Sequence, residues 1–157
     1  MLMQAGIAKS FEAGVKMLEK TIEDGSAFNK FVAMVEAQGG DISYILNPDK
    51  FVMAKKIIPI TANESGYVKF LNALKIGTSA MKLGGGRETI EDQIDMSAGI
   101  MLVKKIGDQV QKGDVLCYLH TNKDDDIVKQ IKEDVLGAYT ICQGFIEKPQ
   151  VVMEIIQ

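Results

Sequence analysis

Leu83-Gly84-Gly85-Gly86-Arg87 opens the stretch that decides the fold. It is followed by Asp92-Gln93-Ile94-Asp95, by Gly99-Ile100-Met101-Leu102, and by the run from Lys104-Lys105-Ile106-Gly107-Asp108 to Gly113-Asp114-Val115-Leu116. The glycines follow a helical pattern over Ala73 to Lys82, so a helix C-cap and a tight turn explain them. Ile100 to Ile106 reads as a strand and Gly107-Asp108 as a turn. Val115 to His120 reads as another strand, with Gly107-Asp108 and Gly113-Asp114 as paired turns of one hairpin. Short strands mixed with helices predict an α+β domain of about a hundred residues.

Working outward, Ile57, Ile58, Ile60 and Thr61 suggest a strand in which Pro59 calls for an edge or a bulge. Glu64-Ser65-Gly66 turns the chain into Tyr67 to Leu71, which alternates as a half-buried strand does. Downstream, Asn122 is placed to cap a helix that opens on Asp124, Asp125 and Asp126, acids favoured by the helix dipole. Ile127, Ile131 and Val135 are its expected buried face. Tyr139 to Cys142 and Val151 to Ile155 complete the set as strands.

Upstream the pattern is helical. Ser10 is the expected N-cap of a helix carrying Phe11, Val15, Leu18 and Ile22 on one face. Gly25 stops it, Ser26 caps the next, and Phe28, Phe31, Val32 and Val35 stripe that second helix up to Gly39-Gly40. Met1 to Lys9 reads as part of a further helix. Two short amphipathic helices cannot bury their own stripes, so their apolar faces are expected to be partly exposed or satisfied by self-association. Asn47-Pro48-Asp49 is turn chemistry and marks a boundary, with 1–45 as one unit and 46–157 as the next.

The totals limit the function classes. A length of 157 residues supports one ordinary domain, or a small domain with an attached piece. The apolar fraction of 46% is enough for a core, and 25% charged residues is ordinary for a soluble protein. A net charge of −3 supplies no basic field for nucleic acid. Cys117 and Cys142 lack a CxxC spacing and read as reduced core thiols. The apolar runs are too short to span a membrane and no signal-peptide pattern opens the chain, so a cytoplasmic protein is expected.

Each chemical motif has a plain structural explanation. Gly84-Gly85-Gly86-Arg87 suits an anion, but no Lys-Ser/Thr follows as in a Walker loop and no strand precedes a GxGxxG. His120 is the only histidine and has no partner at metal spacing. Asp124, Asp125 and Asp126 lack the alternation, the central Gly and the distal Glu of an EF-hand. The nine methionines, scattered singly, read as core filling. Ala80-Met81-Lys82-Leu83 is similar to the biotin-attachment tetrapeptide. A carrier lysine belongs at a hairpin tip after the Gly-Asp-x-Val turn, whereas Lys82 precedes that turn on a helix.

The order LGGGR, ED.ID, AGI.L, K.GD.V, GD.L, with Ala37-Gln38-Gly39-Gly40-Asp41 upstream, resembles the C-terminal domain of the pyrimidine-nucleoside phosphorylases, the family that includes thymidine phosphorylase. The resemblance covers essentially the whole chain, and members are well over twice as long. It implies that the first helices are left over from a large α/β domain. It also implies that the small α+β domain has a hammerhead-like, barrel-sandwich-like strand arrangement. The implied reaction is reversible transfer of a pentosyl group from a pyrimidine nucleoside to phosphate, in a homodimer and without a cofactor.

The family's phosphate-binding Lys/Ser set and base-binding Arg/Ser/Lys set lie in upstream segments, and no position here matches them. No catalytic residue and no metal ligand is therefore assigned. Gly84, Gly85, Gly86, Arg87, Asp92 and Asp95 are the candidate structural or cleft-border loop, with Arg87, Asp92 and Asp95 holding it through charge-assisted hydrogen bonds. Ile57-Ile58-Pro59-Ile60 is expected to flank a loop that orders over the substrate. The expected partners are the upstream phosphorylase domains, phosphate and a pyrimidine nucleoside, with no nucleic acid and no membrane. The chain alone is expected to be inactive scaffolding. A stand-alone binding or regulatory module, or a biotinyl or lipoyl carrier, are the alternatives.

Overall fold

Local capping chemistry shapes the beginning of the chain in the computed structural model, which describes residues 1–154. The Ser10 hydroxyl accepts the Ala13 N–H at 3.2 Å and starts α1, Phe11–Glu23. Helix α2, Ser26–Ala37, begins differently from the sequence expectation. Ser26 is its first residue rather than its cap, and the Asp24 carboxylate accepts the Ser26 N–H at 2.9 Å. At its end Gly39 adopts φ +76°, with Gly39 N–H bonded to Glu36 O and Gly40 N–H to Val35 O. That pair of bonds is a Schellman motif, which only a left-handed residue completes without strain. The expected helix over Met1 to Lys9 is one turn, closed in the same way at Gly6 by Gly6 N–H to Met3 O and Ile7 N–H to Leu2 O.

A short helix α3, Ser43–Leu46, and a 3₁₀ turn, Pro48–Lys50, complete this part. The chain divides into two compact units, Met1–Phe51 and Val52–Gln157. In the first, Ala8 and Gly14 alone are buried, and Phe11, Leu18, Ile22, Phe28, Phe31 and Met34 are exposed. Amphipathic stripes without a partner surface keep their apolar side in solvent.

The second unit is α+β. Its strands are β1, Lys56–Thr61; β2, Gly66–Leu71; β3, Gly99–Leu102; β4, Gln109–Val110; β5, Val115–Thr121; and β6, Tyr139–Cys142. They form two antiparallel three-stranded sheets, ordered β1-β5-β3 and β4-β2-β6. Pro59 lies on the edge strand β1, where its missing N–H costs no ladder bond, and a bulge follows at Ile60/Thr61. A second bulge between Val68 and Phe70 ends the alternation of β2 and turns Phe70 to solvent.

The two Gly-Asp turns are not one hairpin, because β4 and β5 belong to different sheets. They are two copies of one clasp. Gly107 N–H bonds Val68 O at 2.9 Å and Val68 N–H bonds Asp108 O at 3.0 Å. Gly113 N–H bonds Ala62 O at 2.8 Å and Ala62 N–H bonds Asp114 O at 2.8 Å. Each aspartate also accepts the amide three residues before it, Lys105 N–H at 2.8 Å and Gln111 N–H at 3.0 Å. Both glycines have positive φ, +87° and +95°. The first clasp ties the β3–β4 connection to β2, and the second ties the β4–β5 connection to the residue after β1. Strand β3 stops at Leu102, short of the expected Ile106, and Val103 to Ile106 form the loop that leads into the first clasp.

Helix α4, Ala73–Ala80, runs into a π turn, Met81–Gly85, and α5, Asp125–Leu136, covers the core. Val68, Leu83, Val110, Leu116, Cys117, Leu119, Ile131 and Val135 are buried together. Val128 joins Ile131 and Val135 on the inner face of α5, while the expected Ile127 is exposed. The methionines do not fill this core: eight of the nine, all but Met81, are exposed. Cys117 is buried but Cys142 is only half-buried, and both thiols are free. Residues 151–154 form no strand, and Ile155 lies outside the described residues. No helix among the described residues is long and apolar enough to cross a membrane.

Candidate functional site

The glycine loop is built around Gly84. Its φ of +112° is a left-handed value, and its carbonyl accepts the Asp95 N–H at 2.9 Å, folding residues 85–94 back on their own base. A side chain on Gly85 would meet the Ala98 carbonyl at 2.9 Å, so close backbone approach requires glycine there. The loop therefore follows a helix end, and its glycines serve turn geometry.

Asp95 is the hub. One carboxylate oxygen accepts Ser97 N–H at 2.9 Å and Ser97 O–H at 2.6 Å, and the other accepts Asn122 Nδ2–H at 2.7 Å. These bonds, led by that from the Ser97 side chain, hold its carboxyl below the ordinary carboxylate range. Asn122 does not cap α5. Its side chain bridges the loop to the strand entry, with Oδ1 accepting Lys55 N–H at 2.8 Å. Asp124 occupies the cap position instead, without a side-chain cap bond. Behind the hub, the buried Thr121 hydroxyl donates to Leu83 O at 2.8 Å.

Asp92 accepts the Thr89 and Glu88 amides at 2.8 and 2.9 Å, which lowers its pKa. Arg87 differs from the sequence expectation. It makes no ion pair or side-chain hydrogen bond among the described residues, so carboxylate–amide bonds hold this loop. Sequence reading finds Asp92 and Asp95 but misses Asn122, Ser97 and Thr121. The signal for Asn122 is present, and a helix cap is its more local use. Ile90 and Met96 stand at the loop surface, 90% and 91% exposed.

The remaining chemical groups stay apart. Lys82 sits in the π turn, 3.8 Å from Asp134, and not at a hairpin tip as a carrier lysine does. Asp125 pairs with Lys56 at 2.7 Å. Burial pushes the Cys117 thiol up to about 11, which leaves it protonated and unreactive. Burial also raises the pKa of Tyr139, whose hydroxyl donates toward Leu116 O at 3.2 Å. His120 is on β5 opposite Ile57 and Gly99, with Nε2 enclosed and unpartnered among the described residues.

Fold and loop together define a small α+β domain of two clasped antiparallel sheets and a tied glycine loop. Similarity to known proteins identifies it further. Residues 67–141 match the pyrimidine nucleoside phosphorylase C-terminal domain. The chain is 42% identical over 146 residues to a pyrimidine-nucleoside phosphorylase of Geobacillus stearothermophilus, covering 92% of this chain and 34% of that protein. Against the enzyme of Staphylococcus haemolyticus the identity is 41% over 137 residues, or 86% and 32% of the two chains. The Staphylococcus aureus (strain USA300) enzyme is 39% identical over 151 residues, which is 94% of this chain and 35% of that one. The chain belongs to the pyrimidine-nucleoside phosphorylase family, as a C-terminal portion spanning about a third of the length of these relatives.

Proposed function

We propose that this chain serves as the C-terminal scaffold of an enzyme that transfers the pentosyl group of a pyrimidine nucleoside to phosphate, and that by itself it is inactive. The observation that carries this reading is the 42% identity along 92% of the chain to a phosphorylase of which it covers 34%. The exposed stripes of α1 and α2 support a second element of it: these helices complete a large α/β domain supplied by upstream sequence. In that assembly the catalytic groups come from upstream segments, the enzyme is a homodimer, and the 84–95 loop borders the cleft.

Phosphorolysis depends on holding base and phosphate at one distance and on closing the cleft around them. A tied loop suits a border of that kind, since its position is set by Asp95, Ser97 and Asn122. The Asn63-Glu64-Ser65 turn, between β1 and β2, is the segment expected to order over substrate.

The test mixes the purified chain with uridine or thymidine and phosphate and follows base release by ultraviolet absorbance. Turnover at background is expected, and phosphate-dependent turnover overturns the inactive-scaffold reading. In the full-length enzyme, deletion of Asn63-Glu64-Ser65 is expected to change kcat or KM. Unchanged values in both exclude the closing role.

A further inference from the structure

A groove of about 620 Å³ opens in the second unit beside α4. That volume falls within the roughly 300–1,000 Å³ of small-molecule sites. Its lining is mainly apolar, with Leu71, Ile76, Leu102 and Ile106 all half-buried. Three charged residues, Lys105, Asp108 and Lys148, also line it.

These three charges are not equivalent. Both oxygens of Asp108 are occupied: Oδ1 accepts from Lys148 Nζ at 2.7 Å and Oδ2 from the Lys105 N–H at 2.8 Å. The bond from the Lys148 ammonium, with that from the Lys105 amide, keeps this carboxyl below the ordinary range, so it is an anion at neutral pH. Lys105 Nζ makes no ion pair or side-chain hydrogen bond among the described residues. The lining therefore holds two lysines against one aspartate, and that aspartate is already paired with Lys148, in a chain of net charge −3.

The segment bearing Lys148 packs against the first clasp. A side chain on Gly107 would come within 2.9 Å of the Lys148 Cα and backbone N, so the segment lies directly on the clasp glycine. An apolar recess with one unpaired lysine in its lining fits an apolar body carrying a single anionic head. No arginine lines the groove, and a dianion such as phosphate calls for several converging donors.

We propose that this groove binds a small amphipathic monocarboxylate, its aliphatic body on Leu71, Ile76, Leu102 and Ile106 and its carboxylate on Lys105 Nζ. The site is independent of the phosphorolysis reading, because it needs no upstream domain. Titration of the ¹⁵N-labelled 157-residue chain with sodium octanoate, followed by amide chemical shifts, tests it. Saturable shifts are expected at Leu71, Ile76, Leu102 and Ile106, with binding of neutral octanol weaker by about tenfold. Lys105→Gln, an exposed substitution, is expected to weaken octanoate by about the same factor while leaving the rest of the spectrum in place. Non-saturating shifts, shifts mapping elsewhere, or equal binding of octanol overturn the proposal. Groove shifts that change with protein concentration alone also overturn it, since a second copy of the chain is then the occupant.

Discussion

The two units of this chain use the same alphabet to opposite effect. Met1–Phe51 holds its helices by caps and turns, with Ala8 and Gly14 alone buried. Val52 onward buries Val68, Leu83, Leu116, Leu119 and Val135 completely. Both are rich in apolar residues, so apolar content does not decide which of them has a core. The second has one because strands distant in sequence pair, as Ile58 does with Leu119 and Leu102 with Cys117. Helical periodicity makes a stripe; a core also needs a second surface.

The sharpest way to break this comparison is a matched pair of truncations. Leu119→Ala, in the fully buried centre of β5, is expected to cost about 3 kcal/mol in urea unfolding. Ile22→Ala, on the exposed stripe of α1, is expected to stay within about 0.5 kcal/mol. Equal losses would mean that the first unit has a partner surface in the isolated chain.

Next in size are the clasps. Gly107→Ala places a side chain against Lys148 backbone at a φ of +87°, an expected loss of about 2 kcal/mol by thermal unfolding. Gly113→Ala has a similar φ but open space around it, and about 1 kcal/mol is expected. Indistinguishable losses would mean that strain alone, and not contact with the Lys148 segment, sets the cost.

Ser10→Ala removes the α1 cap, and about 1 kcal/mol of helix stability is expected to go with it, read as lower helical circular dichroism. The sheet unit's urea midpoint is expected to stay put, since its core contains no residue of α1. A shift of that midpoint would join the two units energetically.

The smallest effect is acid sensitivity. Asp108 has its pKa lowered by the Lys148 ammonium and the Lys105 amide. A carboxyl depressed on folding stabilises the protein above its unfolded value, near 4, and that contribution disappears as pH falls through the lower folded value. Asp108→Asn is therefore expected to cost about 0.5 kcal/mol at pH 7 and nearly nothing at about pH 2, read from urea midpoints. A loss that persists unchanged in acid would assign the effect to geometry and not to charge.

What is legible in the sequence follows a pattern in particular residues. Ser10, Gly39 and Pro59 have the roles their local context predicts, as cap, stop and edge residue. Each acts on groups within a few positions, or excludes a hydrogen bond wherever it stands. Asn122 reads locally as a helix cap, although its actual partners are Lys55, Asp95 and Ser97. Those partners are remote in sequence, and spacing rules do not reach them. Ile127 and Val128 both fit an approximate helical stripe, and only the orientation of α5 on the sheets chooses Val128.

The candidate loop divides in the same way. The glycines announce a turn, and Asp92 finds its amides three and four residues away. Arg87, expected to join them, does not, because a long cation gains little by giving up its water and rotamer freedom on a surface. Methionines are expected inside and stand largely outside, since unbranched apolar chains tolerate exposure where no facing surface exists.

By itself, then, the sequence determined helices α1, α2, α4 and α5, strands β1, β2, β3, β5 and β6 in outline, and the family to which the chain belongs, all of which rest on neighbouring residues or on motif order. Tertiary structure alone decided that the two Gly-Asp turns serve different sheets as duplicate clasps, that Asn122 ties the glycine loop to the strand entry, and that one face of the second unit is a recess with an unpaired lysine. The physical reason is that these features rest on hydrogen bonds and packing between segments far apart along the chain. Their energies depend on distances that no single stretch of chain encodes.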